Sequence, residues 1–441
     1  MTNDRISRKN WALIWILGMA GQICWNIENS WFNTFVYDKI AKDPAIISWM
    51  VGVSAVVSTF ATFVVGTWGD RLGKRKPFIA IGYICWGIFT MAFGATEFMP
   101  ANPLIAAAVA IVAADAVMSF FGSTGYDAGY NPWTTDISNE RNRGKLGAAF
   151  AAMPVLATIF GAVVSGILVD AFDFFPFFIL MGSIVSLIGV YSLFALKDHP
   201  GLKPRKNERG YWRQFAEVFH VRTVIGNKEL FWVFVVNCVY FVAFNVYFPY
   251  ITIYLNNYLN MSYASSGAIQ GIGLMAAVFL TIPVAKRINR GQTAPIIAFA
   301  VAANVAGLAL ISVSSAFAML LVGVFGAGVG YVLMVQTITA WVKNLYPEDQ
   351  RGQFEGVKMI FAVCLPMVVG PAISSLVISR YGVHIEIDGV AGMVPTESLF
   401  VVSAALTLFT LLPLVPAGKY AKIRQGLAGR RDSRDSRDME V

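Results

Sequence analysis

Three carboxylic acids, Glu28, Asp115 and Asp127, stand in stretches that are otherwise apolar. A charged side chain at the centre of a bilayer costs about 2.5 to 3.5 kcal/mol on insertion scales, so each acid needs a compensating role. It either holds a neighbouring helix by a hydrogen bond or takes up and releases a proton as its surroundings lose and gain water. At about 100° per residue, Gln22, Trp25, Asn26, Asn29 and Asn33 share one stripe of a helix. Glu28 lies about 120° off that stripe and is expected to face a neighbouring helix. Around the second acid, Asp115, Ser119, Gly122, Tyr126 and Trp133 share a stripe. Asp127 and Asn131 form an i, i+4 pair on another face, and the two faces are not expected to see the same water.

Later in the chain the polar residues of the apolar runs are neutral, among them Asn237, Tyr240, Asn245, Tyr247, Gln270 and Gln336. Aromatic faces stack on sugar rings, and amides and carboxylates hydrogen-bond ring hydroxyls. The expected solute-binding set is therefore Trp25, Asn26, Asn29, Asn33, Tyr126, Asn131, Asn237, Tyr240 and Gln336. The expected coupling set is Glu28, Asp115 and Asp127. An organic anion would call for a buried arginine, and no apolar run holds one. Lys358 is the one cation inside a run, and two readings stand side by side: a functional group, or a side chain that snorkels to the cytoplasmic face or pairs with Glu355.

The elements that must position these groups are membrane helices. Of 441 residues, 56% are hydrophobic and 14% charged, against about 25% charged in a soluble domain. Twelve apolar windows can be read, from 11–38 to 397–417, each long enough for a span of about 20 residues. Thirty of the 34 Lys and Arg fall on one side of these windows; Lys39, Lys42 and Arg380 fall on the other. The positive-inside rule then puts both termini in the cytoplasm of a multi-pass protein of the cell membrane. The net charge of +8 thus reflects topology and anionic lipid headgroups, with no nucleic acid implied. The first apolar run has no small-residue cleavage site and reads as a retained helix. Cys24, Cys85, Cys238 and Cys364 fall in separate windows, and the three histidines fall in loops, so no metal site, cofactor or hydrolase triad is expected. The glycine run 323–330 lies inside a window with no preceding strand, and reads as close helix packing in place of a nucleotide loop.

The order of elements repeats. The charged stretch 197–229 separates six windows from six, giving an expected bundle at 1–196, a linker at 197–229, a second bundle at 230–418 and a basic tail without fixed structure at 419–441. Residues 211–222 alternate aromatic and charged positions and read as an interfacial helix. After the fourth window of each half an acid-rich turn ends in Arg-Gly, at Arg143 and at Arg351, 208 positions apart.

Between the second and third windows lies Gly66-Thr-Trp-Gly-Asp70-Arg71-Leu-Gly73-Lys74-Arg75-Lys76. It resembles the G-x-x-x-D-R-x-G-R/K-R/K signature of the major facilitator superfamily, at the loop where that family carries it. The resemblance implies an all-α membrane protein with twelve transmembrane helices in two six-helix bundles. It also implies a cytoplasmic gate at Gly66, Asp70, Arg71, Gly73, Lys74, Arg75, Arg143 and Arg351, and a carrier in place of an enzyme. The second half has a worn copy at 283–291 that lacks the acid. Within the superfamily, residues 69–78, Tyr130-Asn131-Pro132-Trp133 leading to Asp136, and 226–231 resemble the glycoside/pentoside/hexuronide:cation symporters and their sucrose-transporter-like relatives. Sodium-coupled members carry paired acids in span two, whereas 46–68 has none before Asp70, so a proton is expected over sodium. The expected function is proton-coupled symport of a sugar or glycoside by a monomer. Carriage of another neutral solute, such as a nucleoside or amphiphile, or export, is the alternative; a membrane receptor would need a signalling domain that the chain does not show.

Overall fold

The computed structural model describes residues 6–100, 104–138, 143–204, 226–284, 287–288, 291–343, 345, 357–387 and 390–438. Among these residues, eleven helices are long and apolar enough to cross a membrane. The helix that opens the chain, α1 (Arg8–Ile27), falls outside that set because Gln22 and Asn26 lower its hydropathy. It is capped by Ser7, whose Oγ accepts from Asn10 N–H, and it continues through two π-helical turns, Glu28–Phe32 and Val36–Ile40. There follow α2 (Pro44–Leu72), α3 (Lys76–Gly94), α4 (Leu104–Gly125, continued through a π-helical turn, Tyr126–Tyr130, and a last helical stretch, Asn131–Asp136), α5 (Arg143–Phe172) and α6 (Phe174–Ala195). Then come α7 (Lys228–Tyr247), α8 (Tyr263–Thr281), α9 (Thr293–Val313), α10 (Phe317–Lys343), α11 (Leu365–Tyr381) and α12 (Ser398–Leu408). Long apolar helices are the form a bilayer demands, since each backbone group must find its partner within the segment.

Packing repeats with an offset of six. Helix α1 packs on α5, α2 on α4, and α3 on α4 and α6; correspondingly α7 packs on α11, α8 on α10, and α9 on α10 and α12. The most extensive packing between the sets is of α5 with α8 and of α2 with α11. The closest approaches rest on glycine. A Cβ at Gly307 would meet the backbone of Ala327 and Gly323, so α9 and α10 touch backbone to backbone. The glycine run 323–330 therefore packs helices, as its composition implies.

The core is lopsided. One buried cluster carries Trp31, Phe32, Phe35 and Phe178 from the first set together with Tyr250, Ile253, Ile378 and Leu399 from the second. That cluster runs the length of the first set, from Leu13 and Leu196 near the terminal end, and takes in the second set only toward the remote end. Toward the termini, a separate cluster of Leu230, Phe234, Trp341 and Leu414 belongs to the second set alone. Two features depart from the sequence reading. A hairpin, β1 (Val383–Ile387) and β2 (Val390–Val394), pairs antiparallel in the segment read as a loop between the last two spans. A final helix, Leu411–Asp438, runs through the segment read as an unstructured tail. The expected interfacial helix at 211–222 and the worn motif's Lys286 and Arg290 lie outside the described residues.

Candidate functional site: a central cavity between two helix sets

A cavity of about 420 Å³ lies between the two sets of helices. Its first wall comes from α1, α2, α4 and α5: Gln22, Trp25, Glu28, Asn29, Ser54, Ser58, Ser123, Tyr126, Asp127 and Thr158. Facing it are Phe241, Phe244, Asn245, Tyr247, Phe248, Gln270 and Tyr331. The second wall is aromatic: Phe244 stacks on Phe248 at 4.6 Å and on Tyr331 at 5.0 Å between ring centroids. No Lys or Arg is among the described lining residues.

The π-helical turns decide which polar groups reach the cavity. Such a turn adds one residue to the helix and so rotates everything after it relative to an α-helical wheel. In the first turn Glu28 lines the cavity and its Oε1 also accepts from Ser119 Oγ on α4 at 2.6 Å, so it faces both. Asn33, beyond that turn, swings off the stripe and is fully buried, its Nδ2 donating to the Asn29 carbonyl at 2.8 Å. On α4, Tyr126 and Asp127 open the turn Tyr126–Tyr130 and both line this cavity, where the sequence reading had placed them on different faces. Gln22 Nε2 donates to Tyr126 Oη at 2.7 Å and fixes that phenol at the wall.

Of the expected solute-binding set, Trp25, Asn29 and Tyr126 line the cavity. The others do not. Asn26 packs against Gly161 on α5, and Asn131 donates to Asp127 at 3.4 Å from behind the wall. Tyr240 is buried and accepts from Asn304 Nδ2 at 3.2 Å, inside a network that Thr407 joins. Asn237 is buried away from the cavity, and Gln336, one to two turns beyond Tyr331 on α10, stands off it as well. Of the expected coupling set, Glu28 and Asp127 reach the cavity and Asp115, 1% exposed, stays behind it within electrostatic reach of Glu28. The aromatic wall was missed in the sequence because Phe is common in every span. Ser58 and Thr158 were missed because small hydroxyl residues usually bond their own helix, as Thr158 does to Pro154.

At the terminal end, the loop between α2 and α3 closes on itself. Asp70 pairs with Arg75, and Arg75 Nε donates to Asp136 Oδ2 at 3.1 Å, which joins the loop motif to the end of α4. Asp198, which the sequence reading did not single out, accepts from the N–H groups of Arg75 and Lys76 at 2.8 and 2.9 Å and caps α3. Gly73 ends α2 at φ 62°, and a Cβ there would meet Pro204. A Cβ at Gly66 would meet nothing, so the close approach expected there belongs to Gly69 and Gly73. Arg71 is half-buried and Lys74 exposed beside this network. Arg143 opens α5, while its side chain and the whole of Arg351 lie outside the described residues. In the second set a separate clamp forms at the start of α7, where Glu229 accepts from Arg424 Nε at 2.9 Å, from Arg424 Nη2 at 3.2 Å and from Trp341 Nε1 at 2.8 Å.

At the remote end the two sets are bonded to each other. Asp38 accepts from Tyr263 Oη and from Asn257 Nδ2 at 2.7 Å, so the π-helical turns that end α1 and α7 meet. Asp170 accepts from the N–H groups of Tyr263 and Ala264 at 3.0 and 2.7 Å, capping α8 from the end of α5. Tyr250 Oη donates to the Pro44 carbonyl at 2.8 Å.

The sequence matches the Major Facilitator Superfamily over residues 14–371, and the chain belongs to that family. Among curated proteins none matches it. The fold is similar to the solved structure of the nucleoside transporter NupG, with a TM-score of 0.70, 13% identity and coverage of 94% of this chain and 100% of that one. It is also similar to a bacterial homolog of the human lysosomal transporter Spinster in an inward-facing and occupied conformation, with a TM-score of 0.67, 12% identity and coverage of 95% and 98%. The chain is thus a multi-pass membrane protein of a family of small-solute transporters.

Proposed function

We propose that the chain is a proton-coupled symporter of a neutral, hydroxyl-rich ring solute, a sugar or glycoside, working by alternating access as a monomer. The observation that carries this reading is the composition of the cavity. Two carboxylates, Glu28 and Asp127, stand on one wall, an aromatic surface stands on the other, and no cation is among the described lining residues. A ring stacks on the aromatic face while Asn29, Gln22, Asn245 and Gln270 take its hydroxyls. An anionic solute would meet two acids and nothing to neutralise it. The carboxylates bind a proton when the cavity is shut from water and release it when the cavity opens, so a pH gradient biases the cycle.

The bundles at 1–196 and 230–418, the linker at 197–229 and cytoplasmic termini complete the proposal. The lysine and arginine bias supports this orientation. The remote end is then the outer one, where hydrogen bonds between the helix sets hold the two together. The gate role of Asp70, Arg75 and Asp136 is supported by their joining α2, α3 and α4 at the inner end.

The test is uptake of labelled glycosides and nucleosides into proteoliposomes with and without an inward proton gradient. Accumulation of a glycoside that requires the gradient is the expected result. Accumulation of a nucleoside instead would favour the second reading, which the stacked Phe244, Phe248 and Tyr331 support, since a planar base fits that surface as well as a sugar face does. Gradient-independent equilibration of every solute would remove proton coupling.

A further inference from the structure

The hairpin β1–β2 is the one piece of sheet among the described residues, and it grips the opposite set of helices. It belongs to the segment that joins α11 to α12, yet its second strand reaches α1 and the turn after it. Met393 N–H donates to the Lys42 carbonyl at 3.0 Å, and Tyr37 Oη donates to the Met393 carbonyl at 2.7 Å. Both backbone groups of Met393 also belong to a residue that the hairpin pairs with His384. Tyr37 is 1% exposed and Val394 1% exposed, so this contact is a packed one. A Cβ at Gly392 would run into Lys42, which explains a glycine within the strand. On its own side the hairpin is anchored: Thr396 Oγ1 donates to the Tyr381 carbonyl at 3.1 Å and accepts or donates at Ser398 Oγ.

We infer that this hairpin is a strap that ties the second helix set to the first across the remote end and restrains its opening. The inference rests on the alternating-access reading. The segments that continue α1 and α7 meet at Asp38 and Asn257 beside the strap, and the bonds at Met393 add to the hold that opposes their parting. A two-stranded ribbon has little stability of its own, so its hold on Lys42 and Tyr37 lends it order in the closed state, and it is free to release when the ends separate. The strap sets how often the remote end opens, and thereby the rate of the return step.

The test uses a cavity reporter, Thr158→Cys, with the four native cysteines replaced by alanine, in proteoliposomes sorted by orientation. The reporter is treated with a membrane-impermeant maleimide from each face. Tyr37→Phe removes one bond of the strap and should raise the labelling rate from the remote face about threefold to tenfold. Replacing residues 384–393 by a short Gly-Ser linker should raise it further. Labelling from the terminal face, which reports a folded cavity, should stay within twofold or fall. Remote-face labelling that is present in the parent and unchanged in both variants overturns the strap while leaving alternating access in place. Absence of remote-face labelling in the parent and both variants, with terminal-face labelling intact, overturns both.

Discussion

Glu28 occupies the position from which a cavity event can be passed to another helix. One carboxylate oxygen is held by Ser119 on α4, and the side chain also lines the cavity. Asp127 lines the same cavity four residues beyond Ser123, in the π-helical turn that follows α4. If these acids carry the coupling proton, Glu28→Gln and Asp127→Asn should each abolish accumulation against a gradient while leaving counterflow of labelled solute at equal pH within about threefold. Uptake and counterflow in proteoliposomes check this. Asp115→Asn makes a sharper comparison, because Asp115 stands behind the wall and does not touch the cavity. It should change the pH dependence of uptake and leave the solute's half-saturating concentration unaltered. The three acids were legible in the sequence because a carboxylate in an apolar run is costly anywhere in a bilayer. Their division into wall and rear was not, since it depends on neighbours in other helices.

At the scale of elements, the spans were legible and their local twists were not. Bilayer thickness forces long apolar runs, so α2 to α12 follow from composition alone. A π-helical turn carries no compositional mark, and the wheel drawn through Glu28 fails beyond the turn that Glu28 opens. Asn33 is the clearest case, a polar residue on the predicted stripe that turns inward to bond its own helix. In the second half Tyr240 failed for a different reason: it belongs to a buried network with Asn304 and Thr407, and a polar network inside a bundle looks like a solute site in sequence. Two tests belong here. Gly307→Leu should separate α9 from α10, which touch through backbone atoms, and cost about 1 to 3 kcal/mol, read as a lower thermal midpoint in detergent. Asp136→Asn should loosen Arg75 from α4 and lower transport, while binding of solute in detergent changes by less than about tenfold, roughly 1.4 kcal/mol. Loss of binding in that variant would place Asp136 in the solute site.

The whole molecule is asymmetric along its long axis: the helix sets are fused by core and hydrogen bonds at the remote end and carry their own clamps at the terminal end. The remote end also holds an ion cluster within the first set, in which Lys39 reaches both Glu97 and Asp173. Partial burial works against the Asp173 charge, but the Lys39 ammonium and the Phe174 N–H outweigh it and hold the carboxyl below the usual range. A depressed carboxylate adds stability above its unfolded value of about 3.9 and loses it as pH falls through the lower folded value. Acidification below about pH 4 should therefore weaken this cluster, and Asp173→Asn should remove that part of the pH dependence from the thermal midpoint. Because Lys39, Glu97 and Asp173 all belong to the first set, this loss should not open the molecule. Opening is instead opposed by Asp170, whose two oxygens cap α8 from the other set. Loss of such a cap costs about 1 kcal/mol, a shift of about fivefold between closed and open populations. Spin labels at Phe98 and Ser262, both exposed at the remote end, should show a longer-distance population that grows by about that factor in Asp170→Ala and stays unchanged in Asp173→Asn. Equal growth in both variants would mean that general loosening of the remote end, and not the bond between helix sets, holds it shut.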